Sequence, residues 1–182
     1  MTPTILLEQL KEFIQANTAD IILTVRPVKN RTLPLPHGEP PPEAEETTHR
    51  AAEVHLMRLP DKDAETNRVP YILLQYLAGK DEHKEHEPED CTGNVRIIVA
   101  TYSDNDSEGA LDVLNLITRI RVALLKAGAI GEQFLLRKPL DHLIYPDDTQ
   151  PYFFGEMMTV WEMPTIQREV HTRNVYHEHE EQ

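Results

Sequence analysis

The chain has 182 residues, 20.9 kDa, with 40% apolar side chains and 14 prolines, enough for one domain that buries roughly two thirds of its unfolded surface. Thirty-one Asp and Glu against 18 Lys and Arg leave a formal charge of −13; this excludes tight binding of a phosphate backbone, a contact made by Lys and Arg as counterions leave. One cysteine excludes an internal disulfide, the start MTPTILLEQLKEF lacks a signal-peptide pattern, and apolar runs such as Ile97 to Ala100 fall far short of the ~18 residues of a membrane span, so a soluble protein of a reducing compartment is expected.

Thr2 and Pro3 have the form of an N-cap followed by proline at the first helical position, and Leu6, Leu7, Leu10, Phe13 and Ile14 recur at helical spacing, predicting a helix to about Ala16. Ile21 to Val28 turns to β-branched residues and reads as a strand at an edge, since Pro27 lacks a ladder donor. Thr32 to Arg50 is rich in proline and glutamate and reads as a solvated insertion, either a loop or an arm that orders against a neighbour.

Three strands are expected next: Ala52 to Leu59, Tyr71 to Ala78 and Gly93 to Tyr102, each short, apolar and closed by turn residues. A helical period for Tyr71 to Ala78 is not excluded by a continuous apolar run. Between the second and third lies GKDEHKEHEPEDCT, whose charges predict the long solvated loop of a hairpin.

Asp106 or Ser107 then caps a long helix that Lys126 and Gly128 close. Leu111, Leu114, Ile117 and Leu124 form one stripe, which Val113, Leu116 and Ile120 widen beyond what one sheet covers, so the N-terminal helix or another subunit is expected against it. Phe134 to Arg137 and Leu140 to Tyr145 read as a strand broken at Pro139, with a turn at Pro146, Asp147 and Asp148. In the last strand, Phe153 to Met163, alternation puts Phe153, Met157, Thr159, Trp161 and Met163 on the core face and Glu156, Met158, Val160 and Glu162 on the other. The sum is an α+β fold: a mostly antiparallel sheet of four to five strands with the long helix and the N-terminal helix on one face, in a single domain over residues 1–164, with a polar, flexible tail over 165–182.

No set of side chains is spaced like an active site. His83, His86 and Cys91, with Glu85, Glu87 and Asp90, are donor types that zinc accepts, but so many ligands within one loop need a second anchoring element, and the bland reading is a solvated acidic loop. His177 and His179 stand two apart, about 200° on a helix, and so do not share an ion as the His-Glu-x-x-His signature requires. The phosphate-loop, dinucleotide and serine-elbow signatures do not occur. Cys91 lies among carboxylates, which raise a thiol's pKa and suppress the nucleophilic thiolate. No catalytic, metal or cofactor residue is therefore assigned. Candidate subunit-interface residues are Tyr152 and Phe153, after a proline turn at a sheet edge, and Glu85, Glu87 and Asp90 of the acidic loop.

The succession YILLQYLAGKDE, GNVRIIVATYSDNDSEGALDVLNLITRIRVALL and PYFFGEMMTVWEMPTIQRE resembles the tail terminator, or tail completion, proteins of tailed bacteriophages, over Tyr71 to Glu169. The resemblance implies a small α/β subunit without enzyme activity that forms a hexameric ring at the head-proximal end of the tail tube. There it would end tube growth, meet the tail tube protein and a neck or head-completion protein, and let genome DNA pass through its lumen without specific binding. Thr101, Tyr102, Glu108, Gly109, Asp112, Trp161 and Pro164 carry the match, as fold determinants. A head-to-tail connector is the alternative, and a metal-binding module built on the His83 to Cys91 loop is a third reading.

Overall fold

Pro3, with its fixed φ and no N–H to leave unsatisfied in a first turn, opens helix α1 (Pro3–Thr18), two residues longer than expected. Thr2 stands at the cap in extended conformation, but its side chain makes no capping bond; its backbone carbonyl accepts from the Ile5 N–H at 3.0 Å. Leu6, Leu7, Leu10 and Ile14 form the buried face. The computed structural model describes residues 2–26, 49–60, 69–83, 89–146 and 150–165, apart from the side chains of Asp106 and Ser107. The expected capping by those two side chains, the turn at Asp147 and Asp148, most of the proline-rich insertion and nearly all of the polar tail lie outside the described residues.

After α1, β1 (Ile22–Thr24) pairs antiparallel with β2 (His49–Ala51) as a separate two-stranded sheet. The insertion therefore ends earlier than its composition implies, since His49 and Arg50 belong to a strand. The main sheet contains β3 (Glu53–Leu56), β4 (Tyr71–Glu82), β5 (Asp90–Tyr102), β6 (Ala129–Ile130), β7 (Phe134–Ile144) and β8 (Tyr152–Glu162), in the order β3-β4-β5-β8-β7-β6. The α+β class with two helices stands, but the sheet has six strands and is mixed, because β3 runs parallel to β4 while the other neighbours are antiparallel. Strand direction is set by how the chain returns between Leu56 and Tyr71, which the four residues of β3 do not encode. β6, two residues long, is too short for any period.

The acidic hairpin loop is also corrected. Gly79, Lys80, Asp81 and Glu82 pair with Gly93, Thr92, Cys91 and Asp90, so much of the charged stretch is ladder. Backbone bonds do not need apolar side chains, and the glycine pair is covered by Tyr76, whose ring lies where a Cβ on Gly79 or Gly93 would stand. β7 runs through Pro139 as one strand, with an irregular register between Arg137 and Asp141 that accommodates the missing donor.

Helix α2 (Asp106–Ala127) packs with α1 on one face of the sheet. Its buried apolar side chains are Val113, Leu116, Ile117, Ile120 and Leu124, whereas Leu111 and Leu114, expected in the same stripe as Ile117, are 54% and 39% exposed. The strand alternation of β8 holds: Met157, Thr159 and Trp161 are buried, and Phe153 and Met163 are partly buried against the core. The indole N–H of Trp161 donates to the Thr159 hydroxyl at 2.9 Å, which donates to the Val95 carbonyl at 2.9 Å. These two polar groups are thus satisfied within the sheet.

Candidate functional site

Of the residues that carry the resemblance, Thr101, Tyr102 and Gly109 meet at the corner where β5 passes into α2, whereas Trp161 stands opposite Gly93 at the far end of β5. The Thr101 hydroxyl donates to the Gly109 carbonyl at 3.3 Å, and the Tyr102 phenol donates to Asp104 Oδ1 at 2.6 Å. Gly109 is buried directly against the ring of Phe153, where any Cβ would collide. Their roles are in building the corner.

Tyr102 also supplies a pH-dependent contribution to stability. Its hydrogen bond to Asp104, then burial, then the Asp104 charge push its pKa up to about 12. The unfolded value is about 10, so this contribution is complete below the unfolded pKa and is lost as pH rises from there through the folded value. An absorbance titration should show one tyrosine ionising near pH 12, and Tyr102→Phe should remove that step and flatten the stability profile across the same window.

The proposed interface residues fall in three places. Tyr152 is half-buried: its hydroxyl accepts from Arg26 Nη1 at 2.6 Å, and its ring meets Tyr102 edge-on with centroids 5.8 Å apart. Phe153, also half-buried, lies under Gly109. Both rings therefore hold their own subunit together. Asp90 pairs with Arg137 Nη1 at 2.7 Å, and Arg137 Nη2 reaches Glu162 at 3.0 Å, a bridge across β5, β8 and β7. Glu85 and Glu87, with His86 of the metal hypothesis, lie outside the described residues.

At the hairpin a cleft of about 580 Å³ is lined by Pro3, Tyr76 and Met163 and edged by Asp81, Glu89 and Cys91. Cys91 is 8% exposed. A hydrogen bond to Asp81, then burial, then the charges of Asp81, Glu89 and Asp90 push its thiol up, so it is held neutral and poor as a nucleophile or ligand. Among the described residues no three His, Cys, Asp or Glu side chains converge on a point where an ion would sit.

Two larger features escaped the sequence reading. The first is the sheet face opposite the helices, followed through the register by the row Leu73, Ile98, Glu156 and Leu143 and the row Arg96 and Met158. Antiparallel sheets that face water on one side are polar there. This face has Leu135 and Leu143 at 47% and 52% exposure beside half-buried Ile98, Met158 and Val160, with the Arg96–Glu156 ion pair among them. The second is the free edge of β4: β3 pairs only with Tyr71 to Leu74, so the strand from Leu77 to Glu82 has β5 on one side and no strand on the other among the described residues. The signal for the first was present in β8, where Met158 and Val160 share the outward positions with Glu156 and Glu162.

Among the described residues, no helix is long and apolar enough to cross a membrane. Compared with models of protein families and with curated proteins, the chain matches none.

Proposed function

We propose that this chain is a structural subunit of a phage tail, a tail terminator that forms a hexameric ring at the head-proximal end of the tail tube. There it ends tube polymerisation and presents a surface to the neck or head. The observation that carries the reading is the apolar outer face of the sheet: the core is complete without it, and exposed apolar surface beyond a monomer's needs marks a contact with another protein. The free edge of β4 offers the same neighbour a strand to pair with. Contacts between different surfaces of identical copies close into a ring when the rotation per copy permits it. A charge of −13 suits a wall that DNA passes without sticking. The residue pattern over Tyr71 to Glu169 supports the placement in the tail, with the tube protein and a neck or head-completion protein as partners in the virion.

Light scattering after gel filtration, with electron microscopy of the peak, tests this with and without tail tubes. A closed ring, or capping of tube ends, is expected, and Leu143→Glu should abolish it while leaving the monomer folded, because Leu143 is 52% exposed. A wild-type monomer that neither closes nor caps would sink the reading. Binding to the neck complex with no affinity for tubes would move the subunit to the connector position.

A further inference from the structure

Helix α2 carries a second apolar stripe, turned away from the one it buries. Leu111 and Leu114 near its start and Val122 and Leu125 near its end are 54%, 39%, 37% and 37% exposed, with exposed Thr118 between them. These five fall within a sector of about 80° whose centre lies roughly 145° from the buried stripe. The spacing is symmetric: Leu111 precedes Thr118 by as many residues as Leu125 follows it, and Leu114 and Val122 are likewise equidistant from it.

A stripe that reads the same in both directions is complementary to a copy of itself. Charge then selects the direction. Glu108 and Asp112 occupy the first half of α2, and Arg121 and Lys126 the second. Side by side in parallel, the flank that holds Glu108 and Lys126 on one copy would meet the opposite flank of the other, and Glu108 would have no cation across from it. Antiparallel, Glu108 of each copy faces Lys126 of the other, because both residues lie on the same flank of the stripe. The helix dipole accounts for the order of charges but not for an apolar stripe in water.

We propose that α2 pairs antiparallel with α2 of a second copy, about a two-fold axis at Thr118, with Leu111 against the second copy's Leu125 and Leu114 against its Val122. The stripe is about 21 Å long, a contact at the small end of specific interfaces, so the dimer is weak and concentration-dependent. It lies on the helical side of the subunit, away from the uncovered sheet face, and closes at two copies, where a ring needs a contact that repeats. The pairing is independent of the ring reading.

Variants of the full chain with one added cysteine, its own Cys91 being buried, test it with a short bis-maleimide linker. Thr118→Cys should link to itself. Leu111→Cys and Leu125→Cys should each link poorly alone and at least fivefold better when mixed. Glu108→Lys should weaken the dimer roughly threefold, with Lys126→Glu added to it restoring the affinity. Leu114→Glu, exposed in the monomer, should abolish linking. Self-linking of Leu111→Cys as strong as its linking to Leu125→Cys would overturn the antiparallel arrangement, and no linking in any variant at high protein concentration would overturn the contact. Leu143→Glu, which tests the ring, should leave the linking unchanged.

Discussion

Trp161→Ala is expected to lower the stability of the domain by about 3–5 kcal/mol, the usual range for removing a large aromatic from a close-packed core. Trp161 is fully buried, in contact with the cluster that joins α1, α2 and the sheet. Two losses combine at this site. The indole leaves a cavity that the flanking strands β5 and β7, each hydrogen-bonded to β8, are poorly placed to fill. The Thr159 hydroxyl also loses the N–H it accepts from, at 2.9 Å, while it stays buried and committed as a donor to Val95. Trp161→Phe keeps most of the ring volume and loses the same donor, so the difference between the two variants separates cavity from hydrogen bond. Urea unfolding followed by far-ultraviolet circular dichroism measures both. A Trp161→Ala midpoint within error of wild type would mean that this residue does not anchor the core.

The same strand shows why part of the fold was legible. β8 alternates because one face lies against the core under α2 and the other does not, and burial on a pleated strand leaves a period of two in the sequence. α1 was legible for the corresponding reason, with one face against the core and a proline to mark its start. The β4 to β5 hairpin was readable as a hairpin but not in its length, because its outer half is held by the ladder and by one tyrosine over a glycine pair, and neither leaves an apolar pattern. Parallel pairing of β3 depends on the path of the chain after Leu56, which no local pattern records.

The candidate surfaces were harder to read than the fold. Tyr152 and Phe153 are aromatic and close to a turn, which is how interface anchors look, yet they use their rings on Arg26, Tyr102 and Gly109 of the same chain. Aromatic chemistry alone does not say which neighbour is served. In α2 two apolar stripes compete for the core, and the sequence of the helix gives them nearly equal weight. The choice between them is made by the sheet, at Gly155.

Gly155→Val is the second large effect expected, and it follows from that choice. A Cβ on Gly155 would stand 2.6 Å from Ile117 Cδ1, 2.8 Å from Val113 Cγ1 and 3.2 Å from the Leu143 carbonyl oxygen. Ile117 and Val113 are both buried and belong to the core-facing stripe of α2, so neither has open space to move into. The glycine is thus the point where β8 lets the helix approach closely enough to bury that stripe. Gly155→Ala is expected to cost about 1–3 kcal/mol by overpacking, and Gly155→Val, with two further methyls, more than that and enough to displace the helix. Adding Val113→Ala to Gly155→Ala removes one of the two colliding groups and should recover part of the loss, a coupling that independent sites do not show. Chemical denaturation of the four chains of this cycle measures it. If Gly155→Ala were as stable as wild type, or if the two changes were simply additive, the seating of α2 would not depend on this contact, and the stripe it turns outward would have to be fixed elsewhere.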